Sequence, residues 1–129
     1  MTFREYQEKA HSTAQYDVVS LDSAPIEVDA VGTGVVECKE IPFVYPMLGL
    51  AGEAGELCNK LKKVIRDHND FKSDEYKEDM AKELGDCLWY IAELATVFDL
   101  KMEDIADKNI AKLADRKERN KIVGDGDNR

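Results

Sequence analysis

Two stretches of helical periodicity, separated by a short polar turn, limit what this chain can fold into more than any other feature. From Tyr45 onward, Leu50, Ala54, Leu57, Leu61, Val64 and Ile65 recur at three-four spacing, which lays one apolar stripe along a helix. Pro46 suits the first turn of that helix, where its missing N–H is not needed. The pattern fades over Asp67 to Asp70, and Ser73 is placed to cap a second helix. Asp74, Glu75 and Glu78 fall in its opening turns, where the helix dipole favours acids. Its inward face is Met80, Leu84, Cys87, Leu88, Ile91, Leu94, Ala95 and Phe98, and it ends near Asp99. Long amphipathic helices joined by so short a turn pack as antiparallel neighbours.

The flanking segments extend this pair into a bundle. Thr2 can cap a first helix that runs to about Tyr16, with Glu5 as its capping-box partner. Its apolar face is thin (Phe3, Tyr6, Ala10 and Ala14), so it needs something larger to pack on. A last helix is expected from about Met102 to Arg119, with Ile105, Ala106, Ile110, Leu113 and Ala114 facing in. The expectation is one all-α domain over residues 1–129, a four-helix bundle around an antiparallel central hairpin. Asp17 to Pro42 breaks the pattern. It carries Pro25, Gly32 and Gly34, and Val28, Val31, Val35 and Val36 give short β-like runs. It reads as an irregular insertion with room for a small hairpin. Either it shapes a substrate pocket or subunit contact, or it is a tolerated surface insertion. Residues 120–129 are glycine-rich and polar, as a mobile tail would be.

Charge removes whole classes of partner. A formal charge of -9 argues against a nucleic-acid polymer or an anionic membrane, which need a basic patch. A phosphorylated small molecule stays admissible if metal ions bridge the charge. Cys38, Cys58 and Cys87 are odd in number and form no CxxC, which points to reduced thiols in a cytoplasmic protein. Cys58 and Cys87 are expected to pack in the core. Residues 1–6 have no apolar core, so no signal peptide is expected. The nearly uncharged run Ile41 to Gly52 is too short to span a bilayer. Glu8-x-x-His11 is half of a di-iron pattern, but His68 has Ile65 three residues before it, so no second half exists. Asp67-His68-Asn69 has some EF-hand spacing, but Phe71 and Lys72 stand where a ligand and a glycine belong. Both histidines read as surface residues. No P-loop, GxGxxG or Ser/His/Asp arrangement is present.

The chemistry lies in two acidic pairs. Residues three apart share a helix face, so Glu53 and Glu56 point together, as do Glu83 and Asp86. Each pair lies about fifteen residues from the turn, and at roughly 1.5 Å per residue the two come level when the helices run antiparallel. Both flank the apolar seam, which brings four carboxylates together at the edge of the core. Such a group repels itself unless protonated or bound to cations. Oxygen ligands without imidazole or thiolate select Mg²⁺ or Mn²⁺. Gly49, Gly52, Gly55 and Gly85 stand beside the acids, each at a cost in helix stability, for close helix approach or for ligand access. The rival reading is solvated acidic faces, since 27 of 129 residues are Asp or Glu. Glu75/Glu78 and Glu103/Asp107 fit that description. Two pairs at mirrored levels, each beside glycine and the seam, fit it less well.

Gly49-Leu50-Ala51-Gly52-Glu53-Ala54-Gly55-Glu56-Leu57, followed by Lys82-Glu83-Leu84-Gly85-Asp86-Cys87-Leu88-Trp89-Tyr90, resembles the MazG family of all-α nucleotide pyrophosphohydrolases, marked by ExxE and then ExxD. Phe3-Arg4-Glu5-Tyr6-Gln7 is similar to the family's opening helix, and Asn109-Ile110-Ala111-Lys112 with Arg116 is similar to its NxxK…R segment. Asp17 to Pro42 matches nothing in it. The resemblance implies hydrolysis of nucleoside triphosphates to the monophosphate and pyrophosphate by a metal-activated water at the α-phosphorus. Deoxynucleotides are the expected substrates. Glu53, Glu56, Glu83 and Asp86 would then be catalytic and hold Mg²⁺, with Mn²⁺ as a substitute. Lys112 and Arg116 would meet the phosphates, Arg through its bidentate fork. Lys63 continues the acidic stripe toward them, as does Lys60, for which surface solubility is the stronger reading. Tyr90 would border base or sugar, or pack in the core with a wet hydroxyl. Gln7 and Asn109 would bond the nucleotide, against a plain helix-surface role. The resemblance further implies a homodimer or homotetramer. The alternatives are another phosphoanhydride substrate, such as an alarmone, or a degenerate nucleotide-binding or scaffold protein.

Overall fold

The structure, a computed structural model, describes residues 1–16, 41–67 and 70–119. These form four helices, α1 (Phe3–Ser12), α2 (Val44–Asp67), α3 (Asp74–Val97) and α4 (Met102–Glu118), with no strand among the described residues. The chain is all-α. The 17–40 part of the insertion, His68, Cys38 and the 120–129 tail lie outside the described residues.

Local chemistry sets the helix ends. The Thr2 hydroxyl accepts from the Glu5 N–H at 3.2 Å, and the Glu5 carboxylate accepts from the Thr2 N–H at 2.8 Å, a reciprocal capping box. The Ser73 hydroxyl accepts from the Tyr76 N–H at 3.2 Å and starts α3. α1 stops at Ser12, short of the expected Tyr16. The Ser12 and Thr13 hydroxyls donate to the Lys9 and Ala10 carbonyls at 2.7 Å each, competing for acceptors that a longer helix would use. α3 ends in a Schellman motif. Asp99 takes φ 53, the Leu100 N–H donates to the Ala95 carbonyl at 2.7 Å, and the Asp99 N–H donates to Thr96 at 3.1 Å. That turn feeds α4 directly.

α3 is the shared element: α2 packs along one side of it, α1 along another, and α4 lies on α1. The α2–α3 pair is antiparallel. Phe43 stacks on Phe98 at one end with centroids 5.6 Å apart, and Lys60 meets Asp79 at 3.6 Å near the other. Between them Gly49 lies so close to α3 that a Cβ built there would overlap the Cε1–Cζ edge of the Tyr90 ring and come within 2.8 Å of Cδ1. Gly52, Gly55 and Gly85 have open space instead, so helix contact within the chain explains only the first of the four glycines.

Gln7 ties three elements together. Its Nε2 donates to the Thr96 hydroxyl at 3.1 Å and to the Leu100 carbonyl at 2.9 Å, and its Oε1 accepts from the Met102 N–H at 3.1 Å. The last bond serves the start of α4, which has no side-chain cap of its own. Gln7 therefore acts as a structural clamp in the nucleotide-free chain.

The core is small. Ala10, Ala92, Ala95 and Met102 are buried, with Tyr6, Leu88 and Trp89 packed against them. Much of the expected inward face is uncovered: Ile65 is 66% exposed, Leu84 55% and Ile110 67%, and Ala54, Ala114 and Cys58 are exposed too. A helix with one neighbour covers only a narrow strip of its apolar stripe, and α2 and α4 each have one main neighbour. Among the described residues no helix is long and apolar enough to cross a membrane.

Candidate active site

The α2–α3 register brings Glu53 of α2 against Glu83 and Asp86 of α3. One carboxylate oxygen of each lies within 4.8 Å of those of the other two. Oxygens bound to a common cation at about 2.0–2.1 Å sit roughly 3–4 Å apart, so a small closure brings all three onto one ion. Glu53 and Glu83 are half-buried and Asp86 is exposed, which leaves one side open. Glu56 stands outside this group. It lines a shallow exposed cleft with Gly52, Gly55, Asn59 and Lys62. Three residues turn a helix by about 300°, so Glu56 is rotated roughly 60° from Glu53 around α2.

The electrostatics fit a cation. Burial first, then the Asp86 and Glu83 carboxylates, push the Glu53 carboxyl up from its ordinary value. Burial and the same three acids push the Cys87 thiol up, which disfavours a thiolate ligand there. The donor set is thus carboxylate oxygen alone, suited to a hard divalent ion. The chain supplies one cation itself. Lys60 Nζ lies 3.1 Å from Glu83 and 3.6 Å from Asp79, and the bond to Glu83 is the main cause of its raised pKa. Lys60 is not the plain solubility residue of the sequence expectation. It is half-buried and engaged with the acids.

A cleft of about 450 Å³ runs from Lys60 past Lys63, Val64, Tyr76 and Asp79 to Asp70 and Ser73 at the α2–α3 turn. On the opposite side of the acids, Tyr90 lies over Gly49. Burial pushes its phenol up, followed by Tyr45 and by the fields of Glu53 and Asp86. Beyond Tyr90 the seam is aromatic. Tyr45 stacks on Tyr16 at 4.7 Å, and Trp89 meets both Tyr16 and Tyr90 edge-on. Asn109, Lys112 and Arg116 lie on α4. Asn109 borders an apolar groove with Phe3, Leu88, Ile91 and Ile110, Lys112 is exposed, and Arg116 is buried. None of the three is in the carboxylate group or lines the Lys60 cleft.

Sequence reasoning missed one acid. Glu93 is fully buried, and its Oε2 accepts from the Tyr16 hydroxyl at 3.0 Å and lies 3.3 Å from His11 Nδ1. His11 is exposed, as expected of a surface residue, and its ring also engages this acid. The available signal was position: Glu93 falls between Ala92 and Leu94, seven residues after Asp86, where an unpaired acid has no reason to be.

An antiparallel helix pair with carboxylates converging across its seam defines an all-α protein whose acids suit a divalent cation. Residues 46–120 match the MazG nucleotide pyrophosphohydrolase domain, which is more than half of the chain, and the protein belongs to that family. The Gene 37 protein of Mycobacterium phage L5 is 42% identical over 101 residues, 78% of this chain and 89% of that protein. No solved structure matches. The matched segment holds Glu53, Glu83 and Asp86, whereas His11, Tyr16 and Tyr45 precede it.

Proposed function

We propose that this protein hydrolyses nucleoside triphosphates, deoxynucleotides among them, to the monophosphate and pyrophosphate. It does so with Mg²⁺ held by Glu53, Glu83 and Asp86, and with Mn²⁺ as a working substitute. The convergence of those three acids at an open seam, in a MazG domain, carries the proposal. Bound Mg²⁺ would neutralise the triphosphate and polarise its phosphoryl oxygens. The chain does the rest. Tyr90, over Gly49, borders the acids where sugar and base would lie. Lys60 and Lys63 line the cleft that continues from Glu83, where they can meet the departing pyrophosphate. Water attacks the α-phosphorus, the bond from that phosphorus to the bridging oxygen breaks, and pyrophosphate leaves. Glu56, one turn from Glu53, belongs to the proposal as the fourth acid, to hold Mg²⁺ with the other three or to take the proton from that water. Asn109, Lys112 and Arg116 belong to the proposal as substrate-binding residues of α4. The working form is a homodimer or homotetramer in the cytoplasm.

The test is incubation with each of eight ribo- and deoxyribonucleoside triphosphates plus Mg²⁺, followed by assay of pyrophosphate and monophosphate. At least one substrate should give both in equal amounts. Glu53→Gln should lower kcat by on the order of 100-fold or more, since even groups supporting a metal ligand account for 10–100-fold. Helix content by circular dichroism should stay intact. Tight nucleotide binding with no turnover would mark a binding protein instead. Full activity in Glu53→Gln would remove the proposed site.

A further inference from the structure

We propose that Glu93 reads the base of the bound nucleotide, and that the slot it closes favours a base with adjacent N–H donors, guanine foremost. The assignment rests on the nucleotide-binding part of the function proposed above.

Glu93 is 0% exposed, and its Oε1 has no hydrogen-bond partner among the described residues. A buried carboxylate left half-satisfied is costly and calls for a donor. Its place along α3 matters. Seven residues carry a helix through two turns to within about 20°, so Glu93 shares a face with Asp86, roughly 10 Å further along. That is the reach of a nucleotide from its α-phosphorus to the far edge of its base. Tyr90 stands between them, one turn beyond Asp86.

The slot already holds a ring. Tyr16 lies flat on Tyr45, centroids 4.7 Å apart and planes 14° from parallel, and its hydroxyl donates to Glu93 at 3.0 Å. Stacking on an aromatic face while donating to a carboxylate is what a recognised nucleobase does. Tyr16 follows the C-cap of α1, so no helical hydrogen bond fixes it there. It fills the slot in the nucleotide-free chain, and a base that enters takes its place on Tyr45. The base then faces both Glu93 oxygens: Oε1, and Oε2, which Tyr16 releases and which keeps His11 Nδ1 at 3.3 Å on its other side. Guanine meets two acceptors with two neighbouring donors, N1–H and N2–H₂. Adenine and cytosine offer one amino group beside an acceptor nitrogen. Uracil and thymine offer one N–H between two carbonyls, which the carboxylate repels. Buried acceptors select strongly against a ligand that cannot pair them.

Binding of the four deoxynucleoside monophosphates with Mg²⁺, by calorimetry, tests this without turnover. The wild type should bind dGMP about ten-fold or more tighter than dTMP, a margin worth one buried hydrogen bond. Glu93→Gln, which replaces one acceptor by a donor, should abolish that margin and leave dTMP unchanged. Tyr16→Phe, which removes the competing hydroxyl, should tighten dGMP. Equal affinities in the wild type, or a dGMP margin that survives Glu93→Gln, would overturn the inference. If Glu93→Gln does not fold, the wild-type order and the Tyr16→Phe response decide. A Glu93-dependent dGMP margin without hydrolysis of any triphosphate would sink the proposed activity and leave this inference standing. Hydrolysis without base preference would do the reverse.

Discussion

At the residue scale, the acids and Lys60 compete over the same charge. In the metal-free protein Glu53 is pushed above its ordinary range, so the folded state holds that proton more tightly than the unfolded chain. Stability therefore falls as pH rises, from the usual Glu value through the raised one, and is flat above it. Asp79 runs the other way. Lys82 first and Lys60 next hold it low, so its contribution is present above the ordinary Asp value and is lost as pH falls through the lowered one. Added Mg²⁺ binds the ionised acids and should raise Tm more at pH 7.5 than at pH 5. Thermal melts with EDTA or Mg²⁺ across that range check this, and an equal gain at every pH would argue against a cation on Glu53. Lys60 is the internal competitor. Lys60→Met should tighten Mg²⁺ binding by roughly two- to five-fold, the size of a partly exposed ion pair, and lower the metal-free Tm. Unchanged affinity by calorimetry would show that its bond to Glu83 opens freely. Neither effect could be read from the sequence. Lys60 stands on an exposed-looking stripe, and only the side-by-side level of Asp79, Glu83 and Lys60 reveals the pairing.

At the scale of elements, spacing and end chemistry were enough to foresee the helices, because each is fixed locally. Thr2 and Ser73 cap as expected, and the paired acids come level because the α2–α3 turn is short. What the sequence left open needed neighbours. Glu53 and Glu56 share a face of α2, but that face is wider than the strip that meets α3, so Glu56 falls outside. Gly49 and Gly85 looked alike in sequence and differ in space. Gly49→Ala should drive a methyl into Tyr90 and cost about 1–3 kcal/mol, the usual penalty of overpacking. Tyr90→Ala in the same chain should recover much of that loss. Gly85→Ala meets nothing and should stabilise by about 1 kcal/mol through helix propensity. Urea unfolding of the three variants separates the cases, and equal effects of Gly49→Ala and Gly85→Ala would refute the close approach. Asp99 holds φ 53 at the end of α3, a conformation that disfavours a side chain. Asp99→Gly should gain about 1 kcal/mol there, again by urea unfolding, with no change in activity.

For the whole molecule, the problem is the core. Among the described residues the buried cluster is Ala10, Ala92, Ala95 and Met102, four small or flexible side chains and a thin centre for four helices. α4 is held to α1 by its packing, by the Gln7 bond to the Met102 N–H at 3.1 Å and by the Arg4–Glu103 pair at 3.0 Å, an exposed bond of small worth. Meanwhile Ile105, Ile110 and Leu113 on α4, and Ile91 on α3, are exposed. Phe3, Leu88, Ile91, Met102, Ile105 and Ile110 line one apolar groove, a contiguous patch and not scattered residues. A second copy that laid its own α4 there would cover both grooves at once, as a two-fold contact requires. Light scattering should therefore give a dimer or a multiple of it, and Tm should rise with protein concentration. Ile110 is 67% exposed within the chain, so Ile110→Asp costs a lone chain little. In a dimer it buries an unpaired charge, so the variant should run as a monomer with a lower, concentration-independent Tm. A wild type that stays monomeric at high concentration, with the same Tm as Ile110→Asp, would mean that the chain folds on this small core alone. With a formal charge of -9 on each copy, added salt should shift the wild type toward the larger species, whereas a contact made by ion pairs would weaken.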